Sequence, residues 1–442
     1  METKKIRAKL SLSSLKVLKN ITVEPIIALY LFAACMIGTF SVTILMERIC
    51  TWEKGQPENV CKNIFDNDAY AQLRIESQKL ANTYLLANQF VLATPGIFLA
   101  ILTGPWSEKY GRRAPIIIPL IGDLIRYVLL TMMAHFKELP PYFFICATIP
   151  DGILGGFIHM MTLFSYVADV TPKEDMTVKY VFIYGVCFLA NPLGKWMGGF
   201  IYQKYGLVTI YIIASTSTFC ALLYSIFFVK ETRGLESNLT MCEYIREFFR
   251  LKSVKECLGV MTKRRESNGR RRLFITLFTF SAFMFYSVLE GGTLFMYTQV
   301  LFDWSNYTYA MFLSLVNLAS MINNALTGPI LSGVIGISDY PLGMTSCISV
   351  VGSLITMSLA TKPWIFYLGS LFAFVSSVEA FTPALATLIN SQIYNATVTF
   401  FPSAVLLFNG LVITLALLSF LYLKILSEKA TNSPSDHNYD PM

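Results

Sequence analysis

Asp123, Arg126, His159, Lys195, Glu290 and Glu379 are ionisable side chains that stand inside apolar stretches of the chain. Charge in such surroundings is costly, and where it persists it pairs locally or serves transport of ions and solutes. Asp123 and Arg126 are three residues apart and share one helix face. Counted from Ala114 at about 1.5 Å per residue, they lie midway along a membrane-length helix. They read either as a self-neutralising structural pair or as part of a polar cavity. Glu290 precedes Gly291-Gly292 without a local partner, which suits a carboxyl that loads and releases a proton; a solvated place near an interface is the alternative. His159 reads as a hydrogen-bonded packing residue or a proton carrier. Lys195 follows Pro192 and Gly194, and either snorkels outward or binds a substrate anion. Asn88, Gln89, Asn317, Asn323 and Asn324 line a cavity or bond between helices.

The elements that must hold these residues are apolar runs. They predict helices over 25–48, 80–103, 114–134, 141–168, 179–203 and 207–229, then over 273–301, 309–336, 340–360, 364–394 and 402–426. Several exceed the roughly 18 residues that span hydrocarbon. The implied organisation is a segment 1–24, a six-helix bundle 25–229, a basic linker 230–272, a second bundle 273–426 and a polar tail 427–442.

Composition agrees. Only 14% of the 442 residues are charged and 54% are hydrophobic, which excludes a soluble enzyme with one large core. The net charge of +7 is spread between apolar segments, not gathered in a nucleic-acid patch. Lys and Arg cluster before residue 25, at Lys109, Arg112 and Arg113, and through 246–272, loops that all fall on one side. The positive-inside tendency makes that side cytosolic. No CxxC or Cys/His cluster suggests a metal or redox site, so neither metal nor cofactor is expected. Cys50 and Cys61 share the first opposite loop, as a disulfide or as two free thiols. Asn306-Tyr307-Thr308 is a glycosylation sequon, and Tyr439-Asp-Pro-Met442 fits a tyrosine-based sorting signal.

One loop carries a motif: Gly104-Pro-Trp-Ser-Glu108-Lys109-Tyr-Gly111-Arg112-Arg113. Gly111 permits a tight turn, the arginines hold the cytosolic face, and Glu108 is placed to stabilise a neighbouring helix N-terminus through its dipole. Lys230-Glu231-Thr232-Arg233-Gly234 closes the first helical set, and Gly328-Pro329-Ile-Leu-Ser332 weakly echoes Gly104-Pro105-Trp-Ser107. The decapeptide resembles the signature loop of the major facilitator superfamily, with Glu for Asp and Lys for Arg. With Thr22-Val-Glu-Pro25, Ser165-Tyr-Val-Ala-Asp169, Val378-Glu-Ala-Phe-Thr-Pro383 and Ile393-Tyr-Asn-Ala-Thr397, nearly the whole chain resembles solute carrier family 46, the proton-coupled folate transporter and its relatives. The resemblance implies an all-α, two-bundle membrane fold and proton-coupled movement of a small organic solute, anionic in the reading adopted here. The expected coupling ion is the proton, the expected state a monomer in the lipid bilayer, and the expected location the plasma membrane or a lysosomal or endosomal membrane. Gly104, Glu108, Gly111, Arg112 and Arg113 form a cytosolic latch with Asp169 as partner of Arg112.

The chain also departs from that pattern. Eleven helices are expected here, not twelve: Trp364-Ile-Phe-Tyr-Leu-Gly369 resembles the start of the family's tenth helix, and Ser370 onward its eleventh. The acid of the fifth helix linked to proton coupling falls on Tyr184, and an expected Arg on Met176, which argues against folate as cargo. The alternative is a transport-inactive binding or scaffold protein, or an isoform lacking one helix.

Overall fold

A computed structural model of the chain describes residues 21–62, 64, 70–172, 175–233, 241–250, 271, 274–279, 281–282, 292–328, 339–372 and 403–431. In chain order the helices are α1 (Glu24–Trp52), α2 (Glu58–Lys62), α3 (Ala71–Tyr110), α4 (Arg113–His135), α5 (Phe143–Leu154), α6 (His159–Val170), α7 (Met176–Phe228), α8 (Met241–Phe248), α9 (Gly292–Phe302), α10 (Asn306–Gly328), α11 (Asp339–Ser358), α12 (Pro363–Phe372) and α13 (Ala404–Thr431). No strand occurs among the described residues.

Local sequence explains the boundaries. At the start of α1, Pro25 removes an amide that would have no partner, and Glu24 places an acid in the first turn. Gly111 ends α3 with φ 129° and ψ 155°, a conformation closed to most L-residues, and the chain turns there into α4. The predicted run over 141–168 is one membrane segment interrupted at its centre. Gly155 leaves α5 in the left-handed region (φ 87°), and a 3-10 turn over Gly156–Ile158 leads into α6. The 47-residue apolar stretch Phe182–Phe228 of α7 is too long for one crossing, since about 20 residues suffice. Gly206 breaks the helix between the two predicted runs.

Among the described residues, six helices are long and apolar enough to cross a membrane: Glu24–Trp52, Gln72–Tyr110, Arg113–His135, Phe143–Val170, Phe182–Phe228 and Ala404–Tyr422. The other expected spans fall on shorter helices or run over residues outside the described set, so the expected count of eleven is not established.

The chain divides into two compact units, Met1–Leu258 with Gly291–Met321, and Gly259–Glu290 with Ile322–Met442. In the first, α1 lies along α7, and α4 packs on both α7 and α5. Gly194 and Gly198 make the approach of α1 possible: a Cβ on Gly194 would stand 2.7 Å from the Phe32 carbonyl oxygen, and one on Gly198 3.0 Å from Met36. Val23 at the N-cap of α1, with Ile26 and Ile27 of that helix, meets Ile116 and Leu120 of α4, Leu163 and Val167 of α6, and Ile183 and Ala221 of α7 in one core. In the second unit, α11 packs against α12 and α13, with Cys347, Leu354, Phe366, Leu406 and Ile413 buried. The Ser403 hydroxyl donates to the Ser358 carbonyl at 2.8 Å.

Candidate functional site

Four helices of the first unit bring ionisable groups together in its interior. Asp123 and Arg126 come from α4, Asp151 from α5, His159 from the start of α6 and Tyr30 from α1. Asp151 lies eight residues into its helix, about 12 Å from the end, and so near mid-membrane. Asp123, Asp151 and His159 are all buried, at 3%, 1% and 0% exposure. The ion pair of Arg126 is with Asp151, at 2.9 Å from Nη1 to Oδ2. Its i,i+3 neighbour Asp123 shares the same field, since Asp123, Asp151, Arg126 and Tyr30 all interact electrostatically. The Tyr30 and His159 rings stand 4.5 Å apart.

Backbone packing produces this convergence. A Cβ on Gly122 would come within 3.0 Å of the Asp151 Cα, so α4 and α5 touch beside the two carboxylates. Gly156 faces the Asp151 carboxylate so closely that any side chain there would overlap it. Among the described residues, Asp123 Oδ2, Asp151 Oδ1 and both His159 ring nitrogens have no hydrogen-bond partner. Counted over the described residues, two carboxylates facing one guanidinium carry one negative charge too many for an apolar interior. A single proton removes the excess, and that is chemistry a proton carrier requires. Asn88 takes the plainer role, accepting from Thr148 at 2.5 Å between α3 and α5, and the Asn317 amide donates to the Leu313 carbonyl of its own helix.

A second charged cluster sits at the basic end of the same unit. Arg112 Nε donates to Asp169 at 2.8 Å, and Arg233 donates to both oxygens of that carboxylate, at 2.7 and 3.0 Å. Arg112 also donates to the Ser107 hydroxyl. The group stabilising the α4 N-terminus is Glu231, not Glu108. Its carboxylate accepts from the Arg112 and Arg113 amides at 2.6 and 3.2 Å. Glu108 is largely exposed and stands 4.0 Å from Arg112, one turn along. Gly111 lies directly beneath the Glu231 carboxylate, where a Cβ would come within 2.5 Å of it. Nearby, Glu24 and Lys179 form a buried ion pair joining α1 to α7.

The Major Facilitator Superfamily profile matches residues 79–434. The chain belongs to the major facilitator superfamily. Its relatives are members of solute carrier family 46, and like them it is a multi-pass membrane transporter and no enzyme. It is 21% identical over 468 aligned positions to the "Lysosomal proton-coupled steroid conjugate and bile acid symporter SLC46A3" of Mus musculus, covering 95% of this chain and 99% of that one. To the proton-coupled folate transporter of Bos taurus it is 24% identical over 211 residues, 48% of this chain and 46% of that one. Among solved structures, the human organic anion transporter MFSD10 superposes with a TM-score of 0.62 at 16% identity, covering 90% of this chain and 97% of that one, a likeness of fold.

The other expected residues of this superfamily member are placed as follows. Cys50 and Cys61 are disulfide-bonded, with Cα atoms 5.6 Å apart. Asn306 is buried at 4% exposure and accepts from Thr43 at 2.8 Å. Lys195 lies partly buried on α7. Glu290, Glu379 and the Tyr439 motif lie outside the described residues. Asp151, Glu231 and Lys179 carry the site as much as any expected residue. The signal for Asp151 was its acid in an apolar run, and for Glu231 its place in the Glu-Thr-Arg-Gly segment.

Proposed function

We propose that this chain is a proton-coupled symporter of a small anionic organic solute, working by alternating access, with the proton carried by the Asp123–Asp151 pair beside Arg126. The observation that carries the reading is the buried excess, among the described residues, of one carboxylate over one guanidinium. Protonation makes the cluster neutral and deprotonation restores its charge, so its occupancy follows the pH on whichever side it faces. The solute class is supported by the names of the relatives, which act on steroid conjugates, bile acids and folate. Glu231 and the Arg112–Asp169–Arg233 cluster form the latch at the basic end, and Glu290 and Glu379 are further candidates for the proton path.

Proteoliposomes holding the full chain test this, with oestrone sulfate and taurocholate as probes under an imposed pH gradient. Asp123→Asn or Asp151→Asn is expected to cut gradient-driven uptake at least tenfold while leaving solute counterflow, which needs no net proton movement. Equal loss of both activities would make the cluster structural only. Wild-type protein with no saturable, pH-dependent flux would favour the transport-inactive scaffold.

A further inference from the structure

The first crossing of α7 has two dissimilar unburied faces. Leu189, Leu193, Trp196 and Phe200 are apolar and between 41% and 49% exposed, as a lipid-facing side should be. The other face bears Tyr184, Phe188, Asn191 and Lys195, spaced i, i+4, i+7 and i+11 and so aligned along the helix. One turn beyond Lys195 on that side is Gly199, where a Cβ would stand 3.0 Å from Ala310 and 3.6 Å from Tyr307 of α10. At this end, therefore, the face meets protein, not lipid.

Its side chains are those that hold a flat, charged molecule. The Tyr184 ring is 51% exposed and lies 5.7 Å from Phe164 of α6 and 6.4 Å from Phe188. Tyr180 fixes the corner by donating to the Phe164 carbonyl at 3.2 Å. Asn191 Oδ1 has no hydrogen-bond partner among the described residues. Pro192 has no amide proton for the Phe188 carbonyl four residues earlier, leaving a further acceptor in the stripe. Lys195 lies about 10 Å beyond Phe188 along the helix.

We propose that this stripe is a solute-contacting surface that selects a ring system bearing an anionic group, with the ring against Tyr184, Phe188 and Phe164 and the anion at Lys195. The assignment rests on the transport reading above. Aromatic faces hold flat rings through offset or edge contacts, and an ammonium in a low-dielectric passage attracts anions more strongly than in water.

Thiol labelling of the full chain in native membranes tests the surface without any flux. All cysteines except Cys50 and Cys61 are replaced by alanine, and single cysteines are introduced as Phe188→Cys, Asn191→Cys, Leu189→Cys and Leu193→Cys. Each variant is qualified by elution as one species, with Tyr184→Cys in reserve for a variant that fails. With sulfonatoethyl methanethiosulfonate, positions 188 and 191 are expected to react at least tenfold faster than 189 and 193. They should also react faster with this anionic reagent than with its aminoethyl counterpart. Lys195→Met should abolish that preference and Lys195→Arg retain it. Equal rates on the two faces, or a preference indifferent to Lys195→Met, would overturn the proposal. Labelling as expected without flux in proteoliposomes would count against the transport reading alone.

Discussion

Arg126 is the only cation of the described central cluster, so removing it gives the sharpest single-residue prediction. Arg126→Met leaves Asp123 and Asp151 buried without it, and breaking such a pair costs about 3–5 kcal/mol. Thermal unfolding of the purified protein should show that loss, and the double variant with Asp151→Asn should recover part of it. Gly156→Ala acts more gently, displacing the Asp151 carboxylate that its Cβ would overlap. Asp123 and Arg126 are legible in the sequence because they interrupt an unbroken apolar run. Asp151 also lies in a predicted apolar run, 141–168, but Pro150-Asp151-Gly152 has the composition of a surface turn and so masks its part in the site. The packing of α4 on α5 is what shows that this acid meets Arg126.

Helix ends and junctions decide how the basic end holds together. Gly111→Ala puts a side chain into a positive-φ position and against the Glu231 carboxylate, for an expected loss of about 1–3 kcal/mol. The same thermal measurement checks it, and a change below 0.5 kcal/mol would mean the turn relaxes freely. The linker helix α8 is tied to α3 by Tyr110 donating to Glu247 at 3.1 Å and by Trp106 against Phe248. The hydrogen bond from Arg250 holds the Glu247 carboxyl below the usual glutamate value. A lowered folded value means the charged form is the one held. The tie is thus complete above the ordinary glutamate range and lost as pH falls through the lowered value. Hydrogen exchange across 241–248 should accelerate over that acid window, and Glu247→Gln should remove the pH dependence. Helix existence was readable from apolar runs, and the Gly206 break from the gap between two of them. The cap of α4 was not: Glu108 lies in the motif and Glu231 more than 100 residues beyond it, and only the chain's return after α7 selects the distant one.

For the molecule as a whole, hydropathy and one loop motif sufficed for membrane class and superfamily, because both follow from local pattern. The partition of α9 and the start of α10 with the first unit did not, since it depends on Gln78 meeting Gln299 and Arg74 meeting Asp303 across more than 200 residues. The alignment with the mouse symporter runs over 468 positions, more than the 442 residues present, so the chain lacks residues its relative has. Transcripts crossing the Gly369–Ser370 junction should include one with about forty further codons, enough for one more crossing and a loop. Uniform absence of such a transcript would make the shorter second half genuine. The Cys50–Cys61 bridge has a practical bearing on all these measurements. With Ile64 it forms a small hydrophobic knot, backed by Tyr70 and Leu73, apart from the main core. Reductants in purification buffers would therefore loosen the entry to α3 first, while the deep carboxylates kept their arginine. A sample could look intact by circular dichroism and still have lost one edge of its architecture.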